Sequence, residues 1–286
     1  MNSVYEEFVN ASQANAFPAG FPWWDEAPVV PERSVLALPV PAFYCPSDSR
    51  GASKASNYPT PTNYRFCQGD NPTGIQFIPN HPHERGPFTA LMSHNFGAVS
   101  DGLSNTLMFS ERCLTGNLAA HNSATTESIK TFVYLGGTDD VVGVSSPDHK
   151  VTDRSLCAAR ATGGNYVAPS GGDLLYATPG WYYACGLSWH ATFVTVLPPN
   201  APSCLGAAIR GPNSGGHAAI TTVTSNHTGG VNAALMDGSV KFISNSVDSG
   251  SISSATGFPG GVVSGPSPFG VWGAYGTREN GESVSL

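Results

Sequence analysis

Charge is scarce in this sequence. Asp, Glu, Lys and Arg make up 12% of 286 residues, about half the share of an ordinary soluble domain. Only 13 residues are Lys or Arg, no run of them occurs, and the net charge is -7. A phosphate-binding surface needs clustered cations, so no nucleic-acid partner is expected. Long apolar runs are missing too, and none approaches the ~20 residues that a membrane-spanning helix requires. G-x-S-x-G, H-E-x-x-H, a P-loop and a G-x-G-x-x-G followed by a suitable acid are all absent. Those are the usual signatures of hydrolases, zinc proteases and nucleotide enzymes, and the chain is expected not to be an enzyme. No C-x-x-C pair occurs, which argues against a zinc ribbon or a thioredoxin-type site.

What is abundant is the chemistry of turns. The chain holds 33 Gly and 23 Pro, and 40% of its residues are hydrophobic. Such a composition supports a core built from many short strands and disfavours a helical bundle. There is no internal repeat and no clear linker, so residues 1–286 are read as one domain. Six cysteines (Cys45, Cys67, Cys113, Cys157, Cys185 and Cys204) are widely spaced and even in number. In a Lys-poor, Gly/Pro-rich chain they point to disulfides and an oxidising compartment. Of the fifteen possible pairings, the neighbour set is expected: Cys45–Cys67, Cys113–Cys157 and Cys185–Cys204, each bracketing a loop-rich excursion.

Along the chain, residues 1–12 suit a short helix with Tyr5, Phe8 and Val9 on one side. An aromatic, proline-broken loop follows over 17–31, and 34–44 suits an extended edge segment leading into Cys45-Pro46-Ser47-Asp48. Lys130 to Leu135 and Ala191 to Leu197 are rich in β-branched and aromatic residues and read as strands. Residues 114–128, 143–178 and 198–216 are weakly patterned and read as long excursions from the scaffold. The expected fold is α+β and mainly β, with a C-terminal antiparallel sheet and long disulfide-braced loops.

The sharpest local signal is Val231 to Ser244, where Asp237-Gly238 separates two alternating segments. A two-residue turn there predicts Leu235 opposite Val240 and Ala233 opposite Phe242. Alternation then places Val231, Ala233, Leu235, Val240 and Phe242 on one buried face. His227 and Asp237 are of the residue types that form a metal or catalytic pair. Ten residues at ~3.3 Å each separate them along one strand, however, so direct pairing is not expected. Turn chemistry accounts for Asp237 and Gly238, and His227 is left without a role.

The segment Asn226 to Ile243, with His227, Asp237 and Gly238, resembles the signature of the bacterial H-x9-DG family of prepilin-like proteins. Phe43-Tyr-Cys-Pro-Ser-Asp48 is similar to that family's F-L-C-P-S-D stretch. Asp101-Gly-Leu-Ser-Asn-Thr-Leu107 with Glu111-Arg112 is similar to its D-G-x-S-N-T and G-E-R segment. Leu197 to Cys204 and Gly270 to Arg278 extend the resemblance, in order, toward the end of the chain. It implies a pilin- or pseudopilin-like head, displayed outside the inner membrane or on the cell surface, anchored by an apolar N-terminal helix and meeting other subunits through it. No basic leader or apolar helix precedes residues 1–12 here, so the chain is expected to be the head without its stalk.

Other binding chemistry remains open. Trp23, Trp24, Trp181, Trp189 and Trp272 are candidate stacking platforms for extracellular glycans. His81-Pro-His83-Glu84 offers metal ligands in a proline-rich turn, while His217 is an isolated loop histidine. The pilin resemblance also implies a possible calcium site, for which Asp237 and Asp248 are the available carboxylates.

Overall fold

A computed structural model describes residues 40–48, 61–71, 85–89, 92–114, 122–123, 126–135, 144–145, 150–151, 154–169, 174–176, 191–205, 219–251, 264–282 and 284. The architecture is strand-rich. The first sheet has the spatial order β10 (Thr192–Phe193), β1 (Tyr64–Cys67), β2 (Leu107–Glu111), β13 (Gly230–Leu235) and β14 (Val240–Ser244). The second runs β12 (Ala219–Ile220), β11 (Cys204–Leu205), β4 (Val133–Leu135), β9 (Leu174–Tyr176) and β3 (Asn122–Ser123). Two small hairpins, β5 (Val144–Ser145) with β6 (Lys150–Val151) and β7 (Ala161–Thr162) with β8 (Asn165–Tyr166), lie within the 143–178 excursion. Among the described residues are the α-helices α1 (Arg154–Ala158) and α2 (Gly270–Gly276), together with single 3-10 turns at Pro41–Phe43, Phe96–Ala98 and Leu103–Asn105.

The mainly β, α+β expectation holds, but the hairpin does not lie in a purely antiparallel C-terminal sheet. Both large sheets are mixed: β1 runs parallel to β10, and β4 parallel to β11. Strands joined by long connections are free to align in parallel, whereas a tight turn forces antiparallel pairing. The strand expected over Ala191 to Leu197 narrows to Thr192–Phe193. Beyond it Val194 and Thr195 donate to Thr221 and Gly69, outside the ladder. Residues 41–43, expected to be extended, form a single 3-10 turn started by Pro41.

The inner face of the first sheet carries Leu107, Val231, Ala233, Leu235 and Ile243 and packs on Trp272 and Tyr275 of α2. Gly276 lets this helix approach closely, because a Cβ there would collide with the Thr195 side chain. A second core, including Phe132, Tyr134, Tyr166, Leu175 and Val196, serves the second sheet and α1. Arg112, just past β2, joins the two sheets. Its fully buried guanidinium donates to the Phe132 carbonyl at 3.0 Å, the Thr222 carbonyl at 2.7 Å and Ser203 Oγ at 2.7 Å.

The hairpin corrects the expected register by one residue. Ala233 pairs with Lys241, and Val231 with Ile243. The loop has three residues, Met236-Asp237-Gly238, closed by Gly238 N–H to the Leu235 carbonyl and Leu235 N–H to the Ser239 carbonyl. Only Gly238 is left-handed, at φ 84°. Asp237 instead holds the turn through Oδ1, which accepts from the Ser239 N–H at 2.8 Å and its hydroxyl at 2.6 Å. A one-residue slip turns every side chain of a strand over. Ile243 is therefore buried, while Val240 and Phe242 are 68% and 54% exposed. With Tyr64 and Phe66 they give the outer face of the sheet an apolar character, reinforced by the packed rings of Phe66, Phe88 and Phe109.

The cysteine pairing is corrected as well. The disulfide found among the described residues is Cys157–Cys204, linking α1 to β11. Cys45, Cys67 and Cys113 are free thiols, and Cys185 lies outside the described residues. None of the three neighbour pairs forms. The bridge instead fastens the 143–178 excursion to the 198–216 excursion, joining two cysteines that share the second core.

Candidate functional site

Three side chains that sequence reasoning never grouped meet at one end of the central strands of the first sheet. Cys45 follows the Pro41–Phe43 turn, Glu111 ends β2, and His227 sits in the turn before β13. Each is fixed by its own local structure. The Cys45 N–H donates to Asn63 Oδ1 at 2.9 Å, while Asn63 Nδ2 donates to Asp48 Oδ2 at 2.8 Å and to the Arg112 carbonyl at 2.9 Å. Asp48 also accepts from the Leu114 N–H at 2.7 Å, so the Cys45-Pro46-Ser47-Asp48 loop is tied to the end of β2.

Glu111 is nearly buried, and its Oε1 accepts the Asn232 backbone N–H at 2.5 Å. That bond turns Oε2 toward the other two groups. His227 is held by its backbone N–H, which donates to Ser225 Oγ at 3.0 Å, and the same hydroxyl donates to the Gly230 carbonyl at 2.8 Å. The imidazole Nε2 lies 3.4 Å from Glu111 Oε2, and the Cys45 thiol donates to the same oxygen at 3.6 Å. Thiol, carboxylate and imidazole atoms all fall within 4.8 Å of one another. Tyr64, opposite Glu111 on β1, borders the group. Its phenol is pushed above the ordinary range by partial burial and then by the negative charge available on Cys45 and Glu111.

The other described thiols differ in kind. Burial pushes Cys67 up to about 12 and Cys113 up to about 11. Thiols of that sort stay protonated and inert at neutral pH. Cys45 is the free thiol among the described residues that is only partly buried.

A family model described as a protein of unknown function (DUF1559) matches residues 5–250. The chain belongs to the DUF1559 family. No curated protein and no solved structure matches it. The DUF1559 match contains the whole Cys45–Glu111–His227 group and the 227–238 segment, and it stops before α2.

Within this DUF1559 chain the structure assigns the remaining sequence candidates plainly. His227 and Asp237 stand at opposite ends of β13, one in the entry turn and the other in the hairpin loop. Asp237 is exposed, and its carboxyl is held below the usual range by the Ser239 hydroxyl and N–H. Asp248 likewise caps its own turn, accepting from the Gly250 N–H at 2.9 Å. Neither belongs to a group of three His, Cys, Asp or Glu side chains among the described residues. Trp272 is not a stacking platform. It is fully buried, its indole N–H donates to the Leu197 carbonyl at 2.9 Å, and its ring stacks on Phe193. Trp23, Trp24, Trp181, Trp189, His81, His83, Glu84 and His217 lie outside the described residues. The available signal for the Cys45 group was that each member falls in a different one of the resembling segments.

Proposed function

We propose that this chain is the non-enzymatic head of a pilin- or pseudopilin-like subunit of the H-x9-DG type, displayed outside the bacterial inner membrane or at the cell surface. The observation that carries this reading is that the segments responsible for the resemblance are bonded to one another in three dimensions. The Met236 and Asp237 N–H groups donate to the Thr106 and Leu103 carbonyls, joining the hairpin loop to Asp101-Gly-Leu-Ser-Asn-Thr106. Asp101 in turn accepts from Thr277 Oγ1 at 3.2 Å and from the backbone N–H groups of Asn280 and Gly281 at 2.9 and 2.7 Å. Glu111 meets both Cys45 and His227. Five separate short likenesses could arise by chance; segments that interlock are better read as one inherited framework. Most of their polar groups are spent on backbone partners, which favours a structural role over catalysis.

The Cys157–Cys204 bridge supports an oxidising compartment. The apolar outer face, with Tyr64, Phe66, Val240 and Phe242, suits packing against an apolar anchoring helix of the same subunit. No helix among the described residues is itself long and apolar enough to cross a membrane. The test is to express the complete natural reading frame with a C-terminal tag and fractionate the cells. The tagged protein is expected to sediment with membranes and to be cut by protease added to intact spheroplasts. Recovery in the soluble cytosolic fraction, protected from protease, would refute the reading.

A further inference from the structure

We propose that Cys45 Sγ, Glu111 Oε2 and His227 Nε2 form a mononuclear site for a zinc-class divalent ion, with its fourth position open to solvent. The inference is independent of where the protein is displayed.

Distances carry the argument. Zinc bonds run about 2.3 Å to sulfur and about 2.0 Å to imidazole nitrogen or carboxylate oxygen. At tetrahedral angles those lengths set sulfur about 3.5 Å and nitrogen about 3.3 Å from the oxygen. The observed separations are 3.6 Å and 3.4 Å. Two edges of a tetrahedral site are therefore already in place against Glu111, and the thiol and imidazole, within 4.8 Å of each other, close the third by drawing together. Both neighbours converge on one oxygen, Oε2, which is the shape of a shared ligand sphere. A cysteine nucleophile would instead place its imidazole between thiol and acid. Here the carboxylate is the central group, and its charge would oppose a bare thiolate.

Donor chemistry selects the metal. Thiolate and imidazole favour zinc and its neighbours, while calcium and magnesium take oxygen ligands. The supporting contacts have the form expected around a bound ion. Glu111 is oriented by the Asn232 N–H on its other oxygen, and Cys45 is held by Asn63 through its backbone. His227 remains 31% exposed in its side chain, so the site opens to solvent on that side. Three protein ligands with an open fourth position can take a water or a group from a partner.

Cobalt(II) titrated into wild-type protein with Cys45 reduced tests the proposal. A near-ultraviolet thiolate-to-cobalt band and tetrahedral d–d absorption are expected, displaced by zinc and unaffected by excess calcium. Cys45→Ser should abolish the charge-transfer band. His227→Ala and Glu111→Gln should each weaken binding by at least about 100-fold, beyond the 10–100-fold typical of losing an outer-shell partner. Asp237→Ala, which alters only its own turn, should bind as the wild type does. Because ligand variants could disturb the 45–48 loop, a second measurement uses the unaltered chain: zinc should slow iodoacetamide modification of Cys45, read by peptide mass mapping. Absence of the charge-transfer band, its survival in Cys45→Ser, or Cys45 alkylation indifferent to zinc would each overturn the proposal.

Discussion

Replacing Ile243 by Ala and, in a separate variant, Phe242 by Ala reads the register of the β13–β14 hairpin directly. In the observed pairing Ile243 is 2% exposed and packs in the core with Val231, Trp272 and Tyr275. Ile243→Ala removes three buried carbons, worth roughly 2.5 kcal/mol in transfer free energy at about 0.8 kcal/mol each. The cavity left behind raises the expected loss to about 3–4 kcal/mol. Phe242 is 54% exposed, and its ring edge lies over Gly230, where a Cβ would meet it at 2.8 Å. Phe242→Ala should cost about 1 kcal/mol or less, near the range of surface substitutions. The two-residue turn would reverse this order, burying Phe242 at a truncation cost of about 3–5 kcal/mol. Urea unfolding followed by far-ultraviolet circular dichroism and fluorescence, fitted with a common slope, gives both losses. A larger loss for Phe242→Ala than for Ile243→Ala would refute the register and, with it, the account of the three-residue loop.

Two further outcomes follow from buried groups. The Cys157–Cys204 bridge closes a separation of 47 residues; loop entropy of that size predicts that the double variant Cys157→Ala, Cys204→Ala loses about 4 kcal/mol. Non-reducing peptide mapping should recover the 157–204 cross-link, and recovery of Cys113–Cys157 or Cys185–Cys204 would contradict the structure. Asp70 lies 2.9 Å from Arg85 with both side chains buried, and burial pushes its carboxyl up to about 6 against the lowering pull of Arg85. An unfolded Asp titrates near 3.9, so between about 4 and about 6 the native state holds a proton that the unfolded chain has released. This contribution to stability is fully present below about pH 4 and is lost as pH rises through about 6. Asp70→Asn should flatten that part of the pH profile of urea midpoints, and superposable profiles for the two proteins would refute the assignment.

The reach of sequence reasoning follows the range of the interactions. The hairpin was legible because Asp237-Gly238 is a local instruction that needs no distant partner. Its register was not, since Asp-Gly serves both a two-residue turn and a three-residue loop with Gly238 left-handed. The choice is made by whether Ile243 or Phe242 meets α2, which lies after the hairpin in the chain. Composition foretold short strands, and Val231, Ala233 and Leu235 were correctly placed on the core face. Cysteine spacing could not foretell Cys157–Cys204, because that pairing depends on a tertiary contact between α1 and β11 in the second core. Cys45, Glu111 and His227 were each visible but not as a group, since strand pairing and two side-chain-bonded turns bring them together. Trp272 looked like a possible platform because an aromatic side chain carries no mark of the face it buries.

The cross-sheet position of Arg112 has a consequence for how order is lost. Burial lowers its pKa to about 10, so it remains a full charge at neutral pH. Its acceptors lie on segments at and beside the second sheet, while its backbone belongs to the end of the first. Parting the sheets would strand a cation in apolar surroundings and leave two carbonyls without their donor, at a cost of several kcal/mol. Partial opening along that seam is therefore steeply uphill, and the two halves should exchange their slowest amide hydrogens with a common free energy, as a single cooperative unit.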